Sequence, residues 1–219
     1  MTTYIILEIG LVLCGYLFLV MQFQAGSSKH TASITEVFES GKPLELLITQ
    51  YWNILVALLC CIFLMINKST IHNEFRHHYM WQPILICITA LLVSMRLKLP
   101  PSAPKQAITT KESRYYVFIR SSYLVVYEWF FRGLLLQVSM EYFSVGTAVC
   151  INVFLYCIAH IYSARHELIA CVPVGLLFCW LRLEYGSVLF PIMLHLCMAI
   201  PFELRMLRSS SLHHKNIKQ

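Results

Sequence analysis

Four ionisable residues lie inside long apolar runs of the sequence: Glu128, Arg132, His160 and His195. A charged group at membrane depth costs at least about 2.5 kcal/mol unless it is paired or faces water, so each of the four is a candidate functional residue. One carboxylate and two imidazoles brought together can activate water as a general base, stabilise an oxyanion or bind a divalent metal with an open position. All three possibilities indicate hydrolysis.

Glu128 and Arg132 stand four residues apart in the run YLVVYEWFFRGLLLQ. On a helix this spacing places both on one face, about one turn apart, and predicts an ion pair in which the arginine keeps the glutamate ionised and oriented. Such pairs also serve packing alone, and lone histidines in apolar helices often simply bond a neighbouring helix. The hydrolytic interpretation therefore depends on three residues from three apolar runs. Arg120 and Arg182, near run ends, are interpreted as peripheral charges.

The composition indicates a membrane protein. Of the 219 residues, 58% are hydrophobic and 13% are charged, and the mean hydropathy is +0.65. Backbone polar groups in lipid must be satisfied within helices, so the sequence predicts an all-α, polytopic transmembrane helix bundle of about seven spans. The apolar runs lie at approximately 4–23, 46–67, 79–97, 115–138, 145–162, 168–184 and 188–204.

Residues 98–114 hold three prolines and several charges, and this composition predicts a hydrated linker. The linker divides an N-terminal three-span half (1–97) from a four-span core (115–205), which a basic tail (206–219) follows. Lysine and arginine are concentrated in the tail and in alternate loops, so the positive-inside rule predicts an external N-terminus and a cytoplasmic C-terminus. These loops are 24–45, 96–114 and 163–167.

Several other protein classes fit the sequence poorly. The nine cysteines lie in or beside apolar runs without the spacing of a zinc site or a disulfide framework, which indicates small apolar fillers. The net charge of +6 lies in loops and the tail, which fits an anionic membrane face and not a nucleic-acid partner. The first apolar run contains Glu8 and has no basic residue before it, so we interpret it as a retained span and not a signal peptide.

The stretches EWFFRGLLLQ, FLYCIAH and VPVGLLFCWLRLEYGSVLFPIMLH, in that order and spacing, resemble the CPBP family of intramembrane proteases. This family includes the eukaryotic CaaX prenyl endopeptidases and many bacteriocin-processing and immunity proteins. The likeness covers about residues 115–205. It implies an endopeptidase that hydrolyses a peptide bond near the membrane surface with a Glu/His-activated water. The catalytic residues would be Glu128, His160 and His195, supported by Arg132, Tyr127 and Tyr156.

Two positions depart from the family pattern. The first motif of the family holds two consecutive glutamates, and the first, usually held to activate water, is replaced here by Tyr127. Adjacent helix positions point about 100° apart, so Glu128 can take that place only if the helix rotates or unwinds locally. The third motif has asparagine or aspartate four residues after histidine, an amide that helps form an oxyanion hole, but Ala199 follows His195. The second motif, an aromatic residue four positions before His160, is present as Tyr156.

These departures leave the activity open. The first alternative is a catalytically weakened or inactive pseudoprotease that acts as a membrane scaffold or as an immunity or regulatory protein. A transporter-like or metal-handling bundle is a further alternative, supported by the intramembrane histidines and glutamate alone.

The resemblance also implies partners and a location. The expected substrate is a peptide or membrane protein, prenylated or leader-bearing, inside a lipid bilayer. The expected membrane is the plasma or inner membrane in a bacterium and the endoplasmic reticulum in a eukaryote. The sequence requires no cofactor. If a divalent metal such as zinc is bound, its ligands would be Glu128, His160 and His195.

Overall fold

The computed structural model describes residues 2–22, 34, 37, 43–66, 79–99, 108–162 and 165–217. Within these residues every regular element is helical, which confirms the predicted all-α fold. The helices are α1 (Thr2–Gln22), α2 (Leu44–Ile66), α3 (Trp81–Arg96), α4 (Thr110–Glu128), α5 (Leu136–Tyr142), α6 (Val145–Ala159), α7 (Arg165–Tyr185) and α8 (Leu189–Ile217). A π-helical segment, Trp129–Leu135, joins α4 to α5 and is called the wide turn below.

Three helical stretches are long and apolar enough to cross a membrane: Leu44–Phe63, Glu167–Tyr185 and Leu189–Ser209. Three shorter helical stretches are also apolar: Ile9–Gln22, Trp81–Arg96 and Val145–Ala159. The outer surface carries large apolar side chains such as Phe63, Phe118 and Ile169, which are 67–73% exposed. Apolar groups exposed on this scale fit lipid as their surroundings. The fold is a helical membrane bundle, and the count of seven spans and the side of each terminus stay predictions.

Two predicted segment boundaries differ from the structure. The linker was expected to continue to residue 114, but α4 begins at Thr110 because a capping box forms there. The Glu112 N–H donates to Thr109 Oγ1 at 3.2 Å, and the Thr109 N–H donates to Glu112 Oε2 at 2.7 Å. The basic tail was expected to begin at residue 206, but α8 continues to Ile217 without a helix-breaking residue after Pro201.

Helix α8 packs against α3, α4 and α7, and α4 also packs against α2. Ser94 on α3 donates its hydroxyl to the Met198 carbonyl on α8 at 2.7 Å. The rings of Tyr51 on α2 and Tyr123 on α4 stack with centroids 4.7 Å apart. Helix α7 packs on α6 where a Cβ on Gly175 would meet Tyr156 Cδ1 at 3.3 Å.

The contact at Gly175 shows a glycine that permits close helix approach. Gly146 has no such role, because no atom lies within 4 Å of where its Cβ would be. At Gly133 the neighbouring group is the Trp129 indole, which belongs to the same wide turn. That glycine therefore makes room inside its own segment and not for a second helix.

Candidate active site

The predicted ion pair between Glu128 and Arg132 is present in the structure. Glu128 is the last residue of α4, Arg132 lies in the wide turn, and both side chains are fully buried. Arg132 Nη1 lies 3.2 Å from Glu128 Oε2, although the two groups are not aligned as a hydrogen bond. The contact is therefore one of opposite charges in a water-poor interior, where such an attraction is strongest.

Three aromatic rings complete the surroundings of Arg132. Its guanidinium carbon lies 4.3 Å from the ring centroid of Tyr156, 5.0 Å from that of Phe178 and 5.6 Å from that of Phe131. Ring faces attract a cation at these distances, and the attraction grows when water is excluded. The arginine charge is thus stabilised by one carboxylate and by rings from α6, α7 and the wide turn.

His195 on α8 contacts the other oxygen of the Glu128 carboxylate. His195 Nδ1 and Glu128 Oε1 are 2.6 Å apart, a short distance typical of a charge-assisted hydrogen bond. A carboxylate at Nδ1 makes that nitrogen the donor and leaves Nε2 as the basic nitrogen. The His195 side chain keeps 13% exposure, whereas Glu128 keeps none. The buried glutamate therefore orients the imidazole through Nδ1, on the side away from solvent.

His160 ends α6 and is oriented by the backbone. His160 Nδ1 lies 2.9 Å from the carbonyl oxygen of Tyr156, which makes Nδ1 the donor and again leaves Nε2 basic. Tyr127 OH lies at the longer distance of 3.5 Å from the same Nδ1. The Tyr127 ring is edge-on to both His160 and His195, with centroids 6.1 Å away in each case. The Tyr127 ring thus neighbours both imidazoles.

A cavity of about 270 Å³ joins these residues. Its wall includes Tyr127, Tyr156, His160, His195 and Ala199. Glu128 and Arg132 lie behind that wall, so the structure brings the predicted residues together in two layers. The side chain of Ala199 is a methyl group, so it supplies no amide to the cavity.

The ion pair between Arg120 and Glu203 in the cavity wall was not recognised in the sequence. Arg120 Nε donates to Glu203 Oε1 at 3.1 Å, and Tyr116 OH donates to Glu203 Oε2 at 2.8 Å. The interpretation of Arg120 as a peripheral charge is wrong, because its side chain is only 16% exposed and its guanidinium lies over the Tyr51 ring at 4.6 Å. Glu203 is 83 positions away in the sequence, so no local spacing indicated the pair.

Two further buried polar residues contact the wide turn. Asn152 on α6 is fully buried, and Arg182 on α7 is 7% exposed, so its interpretation as a peripheral charge is also wrong. Each donates a hydrogen bond to a carbonyl of the wide turn. A single polar residue in an apolar run carries little signal about its partner, and Asn152 was therefore not singled out.

The three residues predicted as metal ligands do not converge on one point. The Glu128 oxygens face Arg132 and His195 Nδ1, and His160 Nδ1 faces a carbonyl. Among the described residues, no three His, Cys, Asp or Glu side chains are grouped so that they could hold a metal ion. The donor set therefore does not fit a metal held by all three, and the chemistry below uses none.

Comparison with known proteins gives one family. Residues 116–200 match the model of the family described as type II CAAX prenyl endopeptidase Rce1-like. The matched segment runs from α4 to α8 and contains Tyr127, Glu128, Arg132, His160 and His195. No curated protein and no solved structure matches the chain.

Proposed function

We propose that the chain, which is similar over residues 116–200 to the Rce1-like type II CAAX prenyl endopeptidases, is an intramembrane endopeptidase of this type that hydrolyses a peptide bond near the membrane surface. The family implies a peptide or membrane-protein substrate in the membrane. The observation that carries the proposal is the 2.6 Å contact between Glu128 Oε1 and His195 Nδ1. A buried carboxylate behind a cavity-lining imidazole is an arrangement that makes histidine an oriented general base.

In this mechanism His195 takes the proton of the attacking water. Its Nε2 accepts the proton while the water oxygen bonds to the peptide carbonyl carbon, and Glu128 stabilises the imidazolium that forms. His160 also presents a basic Nε2 to the cavity, so one water can donate to both imidazoles and be held in place. When the C–N bond breaks, the proton passes from His195 to the leaving amine. The roles divide so that Glu128 acts through His195 and not on water directly.

Tyr127 has a separate task in this mechanism. His160 Nδ1 already carries a proton donated to the Tyr156 carbonyl, so the Tyr127 hydroxyl proton is not needed there. Tyr127 lines the cavity beside His160, and its hydroxyl can donate to the oxyanion of the tetrahedral intermediate. The Tyr127 hydroxyl would thereby partly replace the amide donor that is missing at Ala199.

The alternative is a pseudoprotease that binds a peptide without turnover. The observation that favours it is the position of Tyr127, which faces His160 where the resemblance places the water-activating glutamate. Glu128 itself lies behind the wall and does not line the cavity. Loss of a general base typically lowers the rate by about 100- to 10,000-fold.

One cleavage experiment separates the two functions. Purified protein in proteoliposomes is given prenylated CaaX peptides, their unprenylated forms and leader-bearing peptides. For the enzyme we expect cleavage that falls about 1,000-fold or more in Glu128→Gln and His195→Ala and about 100-fold in Tyr127→Phe. Tyr185→Phe is the matched control, because that buried hydroxyl donates to Gln82 Oε1 outside the cavity.

The opposite pattern supports the alternative. An inert wild type together with cleavage by Tyr127→Glu would identify a pseudoprotease with an intact cleft. Cleavage that survives both Glu128→Gln and His195→Ala would overturn the proposed mechanism.

A further inference from the structure

The wide turn has a hydrogen-bond pattern that an α-helix does not have. The Leu136 N–H donates to the Phe131 carbonyl, five residues back, whereas an α-helix would direct it to Arg132. The Arg132 carbonyl therefore loses its α-helical donor. Side chains from two other helices contact these same two consecutive carbonyls.

Asn152 on α6 contacts the first carbonyl. Its Nδ2 donates to the Phe131 carbonyl oxygen at 2.7 Å, and its Oδ1 accepts from Cys179 Sγ on α7 at 3.3 Å. Asn152 is fully buried, so no water could take over its hydrogen bonds if the amide were removed. A side chain held at both ends in this way fixes the distance between α6 and the wide turn.

Arg182 on α7 contacts the second carbonyl. Its Nε donates to the Arg132 carbonyl oxygen at 3.3 Å, the same carbonyl that would accept from the Leu136 N–H in an α-helix. The charged guanidinium strengthens a hydrogen bond to a neutral carbonyl. Arg182 thus supplies a side-chain donor to the Arg132 carbonyl, which in the wide turn does not receive the Leu136 N–H.

The direction of Glu128 depends on whether the wide turn persists. A π turn contains one residue more than an α turn, so its conversion to α-helix would rotate α4 relative to α5 by about 100°. Adjacent positions such as Tyr127 and Glu128 differ by this same angle. The turn therefore determines which of the two faces the cavity and which faces Arg132.

We propose that Asn152 and Arg182 are positioning residues that hold the wide turn open and thereby keep the Glu128 carboxylate on His195. The proposal deepens the proposed function and depends on it for the effect on turnover. Its structural consequence, the short Glu128–His195 hydrogen bond, exists whether or not the chain cleaves a peptide.

The test uses histidine-labelled full-length protein in lipid nanodiscs and proton–nitrogen NMR. The short hydrogen bond at His195 Nδ1 gives a strongly downfield proton resonance, assigned by its loss in His195→Gln. We expect Asn152→Leu and Arg182→Met each to abolish this resonance while the helix content by circular dichroism is retained. Cys179→Ala is the matched control, since it removes the other contact of Asn152 and leaves the Phe131 carbonyl bonded.

Turnover gives the second readout. For an active wild type we expect Asn152→Leu to lower kcat about 100-fold with little change in KM, because misplacing a catalytic group acts on the chemical step. Arg182→Lys keeps a cationic donor and is expected to retain the resonance, which provides a folded comparison if Asn152→Leu does not fold. An unchanged resonance in Asn152→Leu and in Arg182→Met would overturn the proposal. An inert wild type that shows the expected NMR pattern would instead contradict the proposed function alone.

Discussion

Glu128 and His195 are 67 residues apart in the chain, yet Oε1 of one lies 2.6 Å from Nδ1 of the other. The second oxygen of Glu128 faces Arg132 at 3.2 Å, so the carboxylate is held by a cation on one side and an imidazole on the other. Its neighbour Tyr127 faces the cavity instead. Of these two consecutive residues of α4, Glu128 therefore lies buried behind the cavity and Tyr127 lines it.

The Arg132 side chain is expected to contribute strongly to stability. Arg132→Met would leave a fully buried carboxylate without its cation, and breaking such a pair typically costs about 3–5 kcal/mol. Thermal unfolding in detergent should show a markedly lower midpoint. The double variant Glu128→Gln with Arg132→Met should be more stable than Arg132→Met alone, because no unpaired charge remains. Equal midpoints for wild type and Arg132→Met would contradict this account of the pair.

The glycine at position 133 is expected to tolerate no side chain. In Gly133→Ala the new Cβ would overlap the Trp129 indole, and overpacking of this kind typically costs about 1–3 kcal/mol. Gly146→Ala is the control, since nothing lies within 4 Å of its Cβ position and alanine is the better helix former. We expect unfolding midpoints in the order Gly133→Ala, wild type, Gly146→Ala, from lowest to highest. A reversed order for the two variants would be incompatible with the packing described.

The start of α4 is expected to weaken in acid. Hydrogen bonding to Thr109, through its side chain and then its backbone N–H, lowers the pKa of Glu112 below the usual 4.5. A carboxylate whose pKa is lower in the folded state stabilises that state above pH 4.5, and this contribution is lost as the pH falls through the lowered value. The protection factors of the first-turn amides of α4, which correct for the intrinsic pH dependence of exchange, should therefore fall below pH 4.5 in wild type. In Glu112→Gln this pH dependence should be absent, and its persistence would assign it to another group.

The orientation in the membrane can be tested with terminal reporters. The concentration of lysine and arginine in alternate loops predicts a C-terminus on the cytoplasmic side and an N-terminus on the opposite side. A reporter active only in the cytoplasm should be active when fused after Gln219 and inactive when fused before Met1. Activity at both ends would indicate an even number of spans, and the reverse pattern would indicate an inverted protein.

Much of the fold could be predicted because apolar runs of this length have few alternatives in lipid. Within the described residues each expected run coincides with helix over most of its length, and the Glu128–Arg132 pair followed from its local spacing. The boundary at Thr110 was missed because a capping box competes with the composition of the linker. The wide turn was not predicted, since a single π turn shifts the helical register by one residue without a compositional signal of its own.

The sequence indicated which residues meet but not how they are arranged. Types and spacing indicated that Glu128, His160 and His195 belong together; in the structure His160 and His195 line one cavity and Glu128 contacts His195 from behind its wall. Their catalytic roles stay predictions. The rotation of α4 about its axis decides whether Tyr127 or Glu128 lies in the wall. This rotation cannot be predicted from the spacing of residues in the sequence. The Arg120–Glu203 pair joins α4 to α8 and is equally invisible in the sequence.

Part of the cavity wall comes from outside the family match. Tyr51 on α2 and Glu203 on α8 both line the cavity, and both lie beyond residues 116–200. The histidines and the groups that orient them lie within the match, as do Tyr127 and Arg132. The cavity wall therefore combines the matched segment with helices outside it. Under the proposed function, an exchange of α2 between proteins of this type would alter what fits the cavity without altering His160 and His195.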